Sequence, residues 1–310
     1  MKQLLLYGER TRENIKNRKG TLAFWYRQMK EERSNLVKKQ RIVVKVGSST
    51  ITHEETGHIN LVKLEKLVRI LTDLHNQGKE VVLVTSGAVA VGRKAVGLVE
   101  RPKTTSQKQA CAAIGQASLM TVYQKLFSEY HQPCAQLLLT KITVLNEITR
   151  QNACNTFEEL FKMGVIPIVN ENDTVATDEL EDLEIGDNDT LSALVTAMIH
   201  GDLLILLSDI DGMYSDDPKK NPDAVLFHTI KDLDESILGM AKGSSSSVGT
   251  GGMQTKLSAA KIATESGADM IIANGDRVEH IMEIIDGELV GTLFTAHPVG
   301  AFHLLNYIKH

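Results

Sequence analysis

Six short runs of this chain are apolar almost from end to end: Ile42–Val46, Val81–Val84, Ala135–Leu139, Val165–Val169, Leu203–Leu207 and Met270–Ala273. Their β-branched and leucine-rich content marks strands, and the absence of polar alternation marks strands buried on both faces. Between them lie segments with helical spacing, over about 59–77, 87–96, 106–130, 149–163, Thr190–His200 and 254–266. The first of these places Leu61, Leu64, Leu67, Val68, Leu71 and Leu74 on one stripe, and Gly78 suits the position just past its end. Strands without a polar face, alternating with helices, specify a parallel sheet covered on both sides.

A sheet of that kind binds ligands just beyond the carboxyl ends of its strands. Two of the runs end there in polar clusters, Asn170-Glu171-Asn172-Asp173 and Ser208-Asp209. Between these clusters come an acidic loop and then Gly186-Asp187-Asn188-Asp189 at the start of a helix. Asp187 and Asp189 suit helix capping, but the rim holds more polar groups than caps require.

Two lysines add to this rim. Lys45 interrupts an apolar strand just before Gly47-Ser48-Ser49-Thr50, where a glycine lets backbone N–H groups approach phosphate oxygens. A strand lysine reaching for solvent is the blander alternative. Lys256 closes the string Gly249-Thr250-Gly251-Gly252-Met253-Gln254-Thr255-Lys256, in the first turn of a helix. A cation there opposes the helix dipole unless an anion binds, whereas the blander alternative is a flexible linker over 243–252 and a solvated lysine. The chain has no Walker P-loop, protein-kinase HRD–DFG set, HExxH or G-x-S-x-G string.

Composition excludes several classes. The 310 residues are 42% hydrophobic and 24% charged with a net charge of −5, enough for a large core and no electrostatic basis for nucleic acid. Cys111, Cys134 and Cys154 show no CxxC spacing, which reads as a reduced, cytoplasmic chain without a zinc site. No apolar run reaches the ~18–20 residues of a membrane span, and no signal peptide is visible. Residues 1–40 are rich in Lys and Arg and include Trp25, but Glu9, Glu13, Glu31 and Glu32 argue against a transit peptide. This segment is expected to be a loosely attached helical extension outside the chemistry.

The strings VVKVGSS (43–49), VTSGAVAVG (84–92), KQACAAIGQ (108–116), IPIVNENDTV (166–175), GDNDTLSA (186–193), LLSDIDGMYSDDP (206–218) and GTGGMQTKLSAA (249–260) together resemble the amino acid kinase family. The resemblance spans residues 41–297 in family order. Within the family it is to the branch that phosphorylates the γ-carboxylate of L-glutamate with ATP, the first step of proline biosynthesis. It implies a three-layer α/β/α sandwich with a mainly parallel central sheet, glutamate on the first half and nucleotide on the second. Lys45, Lys256 and Asp189 then become the catalytic set, and Ser86, Asp173 and Asn188 contact glutamate. Lys45, Gly47, Ser208, Asp209, Thr250, Gly251, Gly252, Met253, Gln254, Thr255 and Lys256 line the nucleotide. Mg²⁺ accompanies ATP, with no protein ligand to the metal implied. The resemblance extends to a homo-oligomer and to L-proline as a feedback inhibitor acting through the loop Thr174–Ile185. Residues 298–310 are expected to be a tail, too short for the PUA domain that many relatives carry.

The residue types fit that chemistry independently. A γ-carboxylate is already an anion and needs no general base to attack phosphorus. The barrier lies in bringing two anions together, which calls for cations and backbone donors along the line of transfer. Asp189 would hold two lysines by charge, and Asp173 would pair with the substrate ammonium. Three competing functions are another acyl-phosphate-forming kinase of the same fold, a non-catalytic amino-acid sensor and an RNA-binding module. A substrate without an ammonium has little use for Asp173, a sensor has little use for two phosphate-binding lysines, and an acidic chain is a poor RNA ligand.

Overall fold

The structure, a computed structural model, describes residues 18–53, 55–175, 187–242, 252–300 and 302–307. Strands β1 (Arg41–Val46), β2 (Glu80–Val84), β3 (Cys134–Leu139), β4 (Ile166–Glu171), β5 (Leu203–Ser208), β6 (Thr229–Ile230), β7 (Asp269–Asn274) and β8 (Thr292–Phe294) form one sheet. Its eight strands lie in the order β3-β4-β2-β1-β5-β7-β8-β6. Every pair from β3 to β7 is parallel, β7 and β8 are antiparallel, and β6 runs with β8. The sequence does not announce the reversed pair, because runs of two and three residues carry no readable period.

The helices are α1 (Arg18–Arg33), α2 (Ser48–Ile51), α3 (Leu61–Asn76), α4 (Ala88–Ala95), α5 (Thr105–Ser128), α6 (Lys141–Leu145), α7 (Glu147–Lys162), α8 (Asn188–Met198), α9 (Glu235–Lys242), α10 (Met253–Glu265) and α11 (His280–Ile285). They cover the sheet on both faces, and two separate cores follow. On one face, Val43, Val82 and Leu204 pack with Phe157 of α7, Leu191 and Leu194 of α8, and Leu257 and Ala260 of α10. On the other, Ile42, Val44 and Val46 pack with Leu67 and Leu71 of α3, Leu119 of α5 and Ile281 of α11. Successive strand side chains point to opposite faces, so Lys45 shares the face of Val43. Its ammonium is thereby directed toward the layer made by α8 and α10.

Helices α4 and α5 approach more closely than any side chain would permit. A Cβ at Gly115 would stand 1.8 Å from the Ala88 carbonyl oxygen, and one at Gly92 would stand 1.8 Å from that of Cys111. Gly115→Ala must therefore push two helices apart, and overpacking of this kind costs about 3 kcal/mol. A denaturant midpoint for Gly115→Ala that matched the unmodified chain would show that the helices can part freely.

The end of the N-terminal extension is not loosely attached. Arg33 and Leu36 are fully buried, and Lys30 pairs with Glu288 at 2.6 Å while Glu32 pairs with Lys231 at 2.7 Å. No described helix is long and apolar enough to cross a membrane.

Candidate active site

The parallel strands β1, β2, β4 and β5 deliver their carboxyl ends to one rim, and α8 begins there. The Asp187 carboxylate caps that helix, accepting from the Asp189 and Thr190 amides at 2.8 and 2.9 Å. Burial is the main cause of the raised pKa of Asp187, and the Asp189 charge adds to it while the Thr190 donors oppose it. Asp189 therefore does no capping. It is 1% exposed, and its side chain bridges two cations. Lys45 Nζ lies 2.6 Å from Oδ1, and Lys256 Nζ lies 3.0 Å from Oδ2.

Burial alone pushes the Asp189 carboxyl up, but the ammonium groups of Lys45 and Lys256 outweigh it and hold the pKa below the usual carboxylate range. Lys45 and Lys256 are themselves 8% and 4% exposed. Among the described residues, one carboxylate thus bridges two buried cations, and the paired ammonium groups give the site positive potential that favours an anion. The dipole conflict at Lys256 is answered in part from within the chain, since Asp189 supplies one of the anions that the position demands.

Beside this triad runs a relay of amides. Asn188 Nδ2 donates to the Thr85 carbonyl at 2.6 Å, to Ser86 Oγ at 2.7 Å and to Asn170 Oδ1 at 3.1 Å. Asn170 Nδ2 in turn donates to Gln116 Oε1 at 3.0 Å, and Thr85 Oγ1 meets the buried Tyr123 hydroxyl at 2.9 Å. Because its nitrogen is fully engaged, the remaining polar atom of Asn188 is an acceptor, Oδ1. Asp173 follows three residues after Asn170 and has no hydrogen-bond or ion-pair partner among the described residues. Burial raises its pKa. An acceptor amide and an unpaired carboxylate together suit an ammonium group.

The side of the rim around Lys45 and Lys256 is built from less side-chain matter. A Cβ at Gly47 would sit 3.7 Å from Lys45 Nζ, so glycine leaves the space beside that ammonium open. Helix α10 follows Gly252, an N-cap that has no side chain to bond its first amides, and a helix start of this kind favours an anion. Thr255 Oγ1 donates to the Gly252 carbonyl at 2.8 Å and reaches Asp189 Oδ2 at 3.4 Å. Met253 packs partly into the core and Gln254 is exposed. Ser208 is buried at the end of β5 and donates to exposed Asp209 at 3.0 Å. Thr250 and Gly251 lie outside the described residues, as does most of the loop Thr174–Ile185. Among the described residues, no group of three or more His, Cys, Asp or Glu is placed to hold a metal ion.

A model of the amino acid kinase family matches residues 40–274. The chain belongs to the amino acid kinase family. Similar relatives include the glutamate 5-kinase of Clostridium perfringens, 49% identical over 265 residues that make up 85% of this chain and 98% of that protein. The glutamate 5-kinase of Listeria monocytogenes is 48% identical over 85% of this chain and 96% of its own length. Among solved structures, the carbamate kinase of Giardia lamblia bound to AMP-PNP superposes with a TM-score of 0.59 at 17% identity, covering 84% of this chain and 100% of that one. The UMP kinase of Ureaplasma parvum gives 0.58 at 13% identity, covering 83% and 99%. These structural likenesses establish the fold.

In this amino acid kinase the structure brings Lys45, Asp189 and Lys256 together, and joins Ser86 to Asn188. It ties Asn170, already on the rim by sequence, to Gln116 and Asn188, and adds Gln116, Thr85 and Tyr123, to which the sequence alone assigns no role in the site. Their signal is a glutamine and an asparagine on otherwise apolar, buried elements, where an unexplained amide usually has an assigned partner.

Proposed function

We propose that this chain transfers the γ-phosphoryl group of ATP to the γ-carboxylate of L-glutamate, giving L-glutamyl 5-phosphate and ADP, the opening step of proline biosynthesis. The observation that carries the proposal is the buried Lys45–Asp189–Lys256 triad. It concentrates two cations where a carboxylate must strike a phosphoryl group. Identities of 49% and 48% to glutamate 5-kinases support the choice of acceptor.

In this reading Asp173 and Asn188 Oδ1 take the substrate ammonium, while Ser86 and its amide relay set the acceptor's position. Lys45 and Lys256 draw in the transferring group and stabilise the charge that spreads over its oxygens in the transition state. Asp189 holds both ammonium groups in register, so that no reorganisation is needed at the moment of transfer. Gly47, Ser208, Asp209 and the segment from Thr250 to Lys256 line the nucleotide. Mg²⁺ would enter bound to ATP and would supply neutralisation of phosphate charge. The kinase unit spans residues 41–297, and residues 1–40 contribute no group to the reacting atoms. A cytoplasmic homo-oligomer inhibited by L-proline completes the reading. A titration with proline that leaves activity unchanged at every glutamate level removes that last element.

The test of the function is ADP release against a panel of acids, with hydroxylamine present to trap acyl phosphate. Glutamate should give a hydroxamate, and N-acetylglutamate, aspartate and carbamate should not. ADP release independent of any acid, or with a different acid alone, overturns the proposal.

The raised pKa of Asp173 adds a pH prediction. As pH falls through that raised value, the carboxylate is neutralised and loses the substrate ammonium. The acid limb of kcat/KM for glutamate should therefore lie above the ordinary carboxylate range. Asp173→Asn should erase that limb and raise the glutamate KM about 10- to 100-fold. An acid whose folded pKa is raised binds its proton more tightly in the folded state, so the fold gains stability from it as pH falls. Removing the charge should then leave the denaturant midpoint at neutral pH unchanged or higher, which separates lost binding from lost folding.

A further inference from the structure

Arg33 ends α1 in an unusual setting. It is fully buried, and its guanidinium is held by backbone carbonyls. Nη1 donates to Glu288 and Val290 at 2.8 and 2.6 Å, and Nη2 donates to His228 and Gly291 at 2.8 and 2.9 Å. Burial is the main cause that lowers its pKa to about 10, with the Glu32 charge opposing, so it stays charged at neutral pH. Burying a cation among neutral carbonyls is a costly way to fasten a helix end.

The residues it grips explain the placement. His228 and Gly291 are each one step from Phe227 and Thr292, and those two hold Met213. Met213 N donates to Thr292 Oγ1 at 2.8 Å, Thr292 Oγ1 donates to the Phe227 carbonyl at 2.5 Å, and Phe227 N donates to the Met213 carbonyl at 2.9 Å. Thr292 is fully buried, and a Cβ at Gly212 would stand 2.5 Å from its hydroxyl oxygen, so the contact has no slack. Met213 closes the loop that begins with Ser208 and Asp209. A second anchor lies at the start of that loop, where Gly275 N donates to the Ser208 carbonyl at 2.6 Å.

We propose that Arg33 is a positioning residue for the nucleotide subsite, gripping His228 and Gly291 so that Thr292 and Phe227 hold the Ser208–Met213 loop in its nucleotide-accepting form. The inference rests on the kinase reading for its ligand, MgATP. It gives the end of the N-terminal extension a task in nucleotide binding although the extension touches no reacting atom.

The test is steady-state kinetics with each substrate varied, on Arg33→Met, Arg33→Lys, Thr292→Val and the Arg33→Met/Thr292→Val pair, with thermal unfolding in parallel. Arg33→Met and Thr292→Val should each raise the ATP KM about 5- to 30-fold, with kcat at saturation and the glutamate KM within about twofold. Combined, they should do little more than either alone, because they interrupt one path. Arg33→Lys keeps the charge with a single donor head, so it should fold and show a smaller rise in ATP KM. It carries the test if Arg33→Met fails to fold. A lowered unfolding temperature with an unmoved ATP KM, or equal rises for both substrates, overturns the proposal. Should the unmodified chain release no ADP with glutamate, the functional reading fails instead, and calorimetric MgATP affinity of the same variants decides the role of Arg33.

Discussion

Asp189→Asn is expected to weaken the fold by about 3–5 kcal/mol and to lower kcat by at least ~10²-fold. The substitution keeps the shape of the side chain and removes the negative charge that bridges Lys45 and Lys256. Two ammonium groups would then face each other in a site where Asp189 had been 1% exposed. The loss should depend on pH in a definite sense. A carboxyl whose folded pKa is depressed contributes stability above its unfolded pKa and loses it as pH falls through the folded value. The unmodified chain should show that acid limb and the variant should lack it. MgATP should restore more stability to the variant than to the unmodified chain, because its phosphates supply the missing anion. An unchanged denaturant midpoint for Asp189→Asn would mean that the two lysines are not held against each other.

Lys256→Ala is expected to lower kcat by ~10²–10³ while leaving glutamate affinity almost unchanged, the size of effect found when one transition-state donor is lost. Geometry separates this from a general loss of binding. Lys256 touches Asp189, whereas the ammonium subsite proposed at Asp173 and Asn188 rests on the segment after β4 and on the amide relay. If kcat stayed within about threefold while the glutamate KM rose, Lys256 would belong to acceptor binding. Some stability should also be lost, but less than for Asp189→Asn, because Asp189 keeps Lys45.

Much of this site is legible in the chain before folding, because each part follows from a local rule. Lys45 stands two positions from Val43, so strand alternation sends it to one face. Lys256 stands in a glycine-led first turn, and the GDND string puts carboxylates at a helix start. What local rules do not give is which of the two carboxylates caps. Asp187 does, and that frees Asp189 for the lysines. The orientation of the Asn188 amide is equally invisible, since it depends on Thr85, Asn170 and Gln116, which come from three other elements. Arg33 is hidden for another reason. Its surroundings in sequence are lysines and glutamates, and only the return of the chain at residues 288–291 and 228 makes it a core residue. The strands β6 and β8 escape notice because two or three residues make no pattern.

The mechanism makes one requirement of the atoms themselves: the γ-carboxylate oxygen of glutamate must form the new bond to phosphorus. Glutamate labelled with ¹⁸O in the γ-carboxylate, turned over with MgATP and trapped by hydroxylamine, tests this directly. Hydroxylamine attacks the acyl carbon, so the phosphate that leaves should carry one ¹⁸O for each hydroxamate formed. Phosphate free of the label would show that water, and not the carboxylate, meets the phosphoryl group between Lys45 and Lys256.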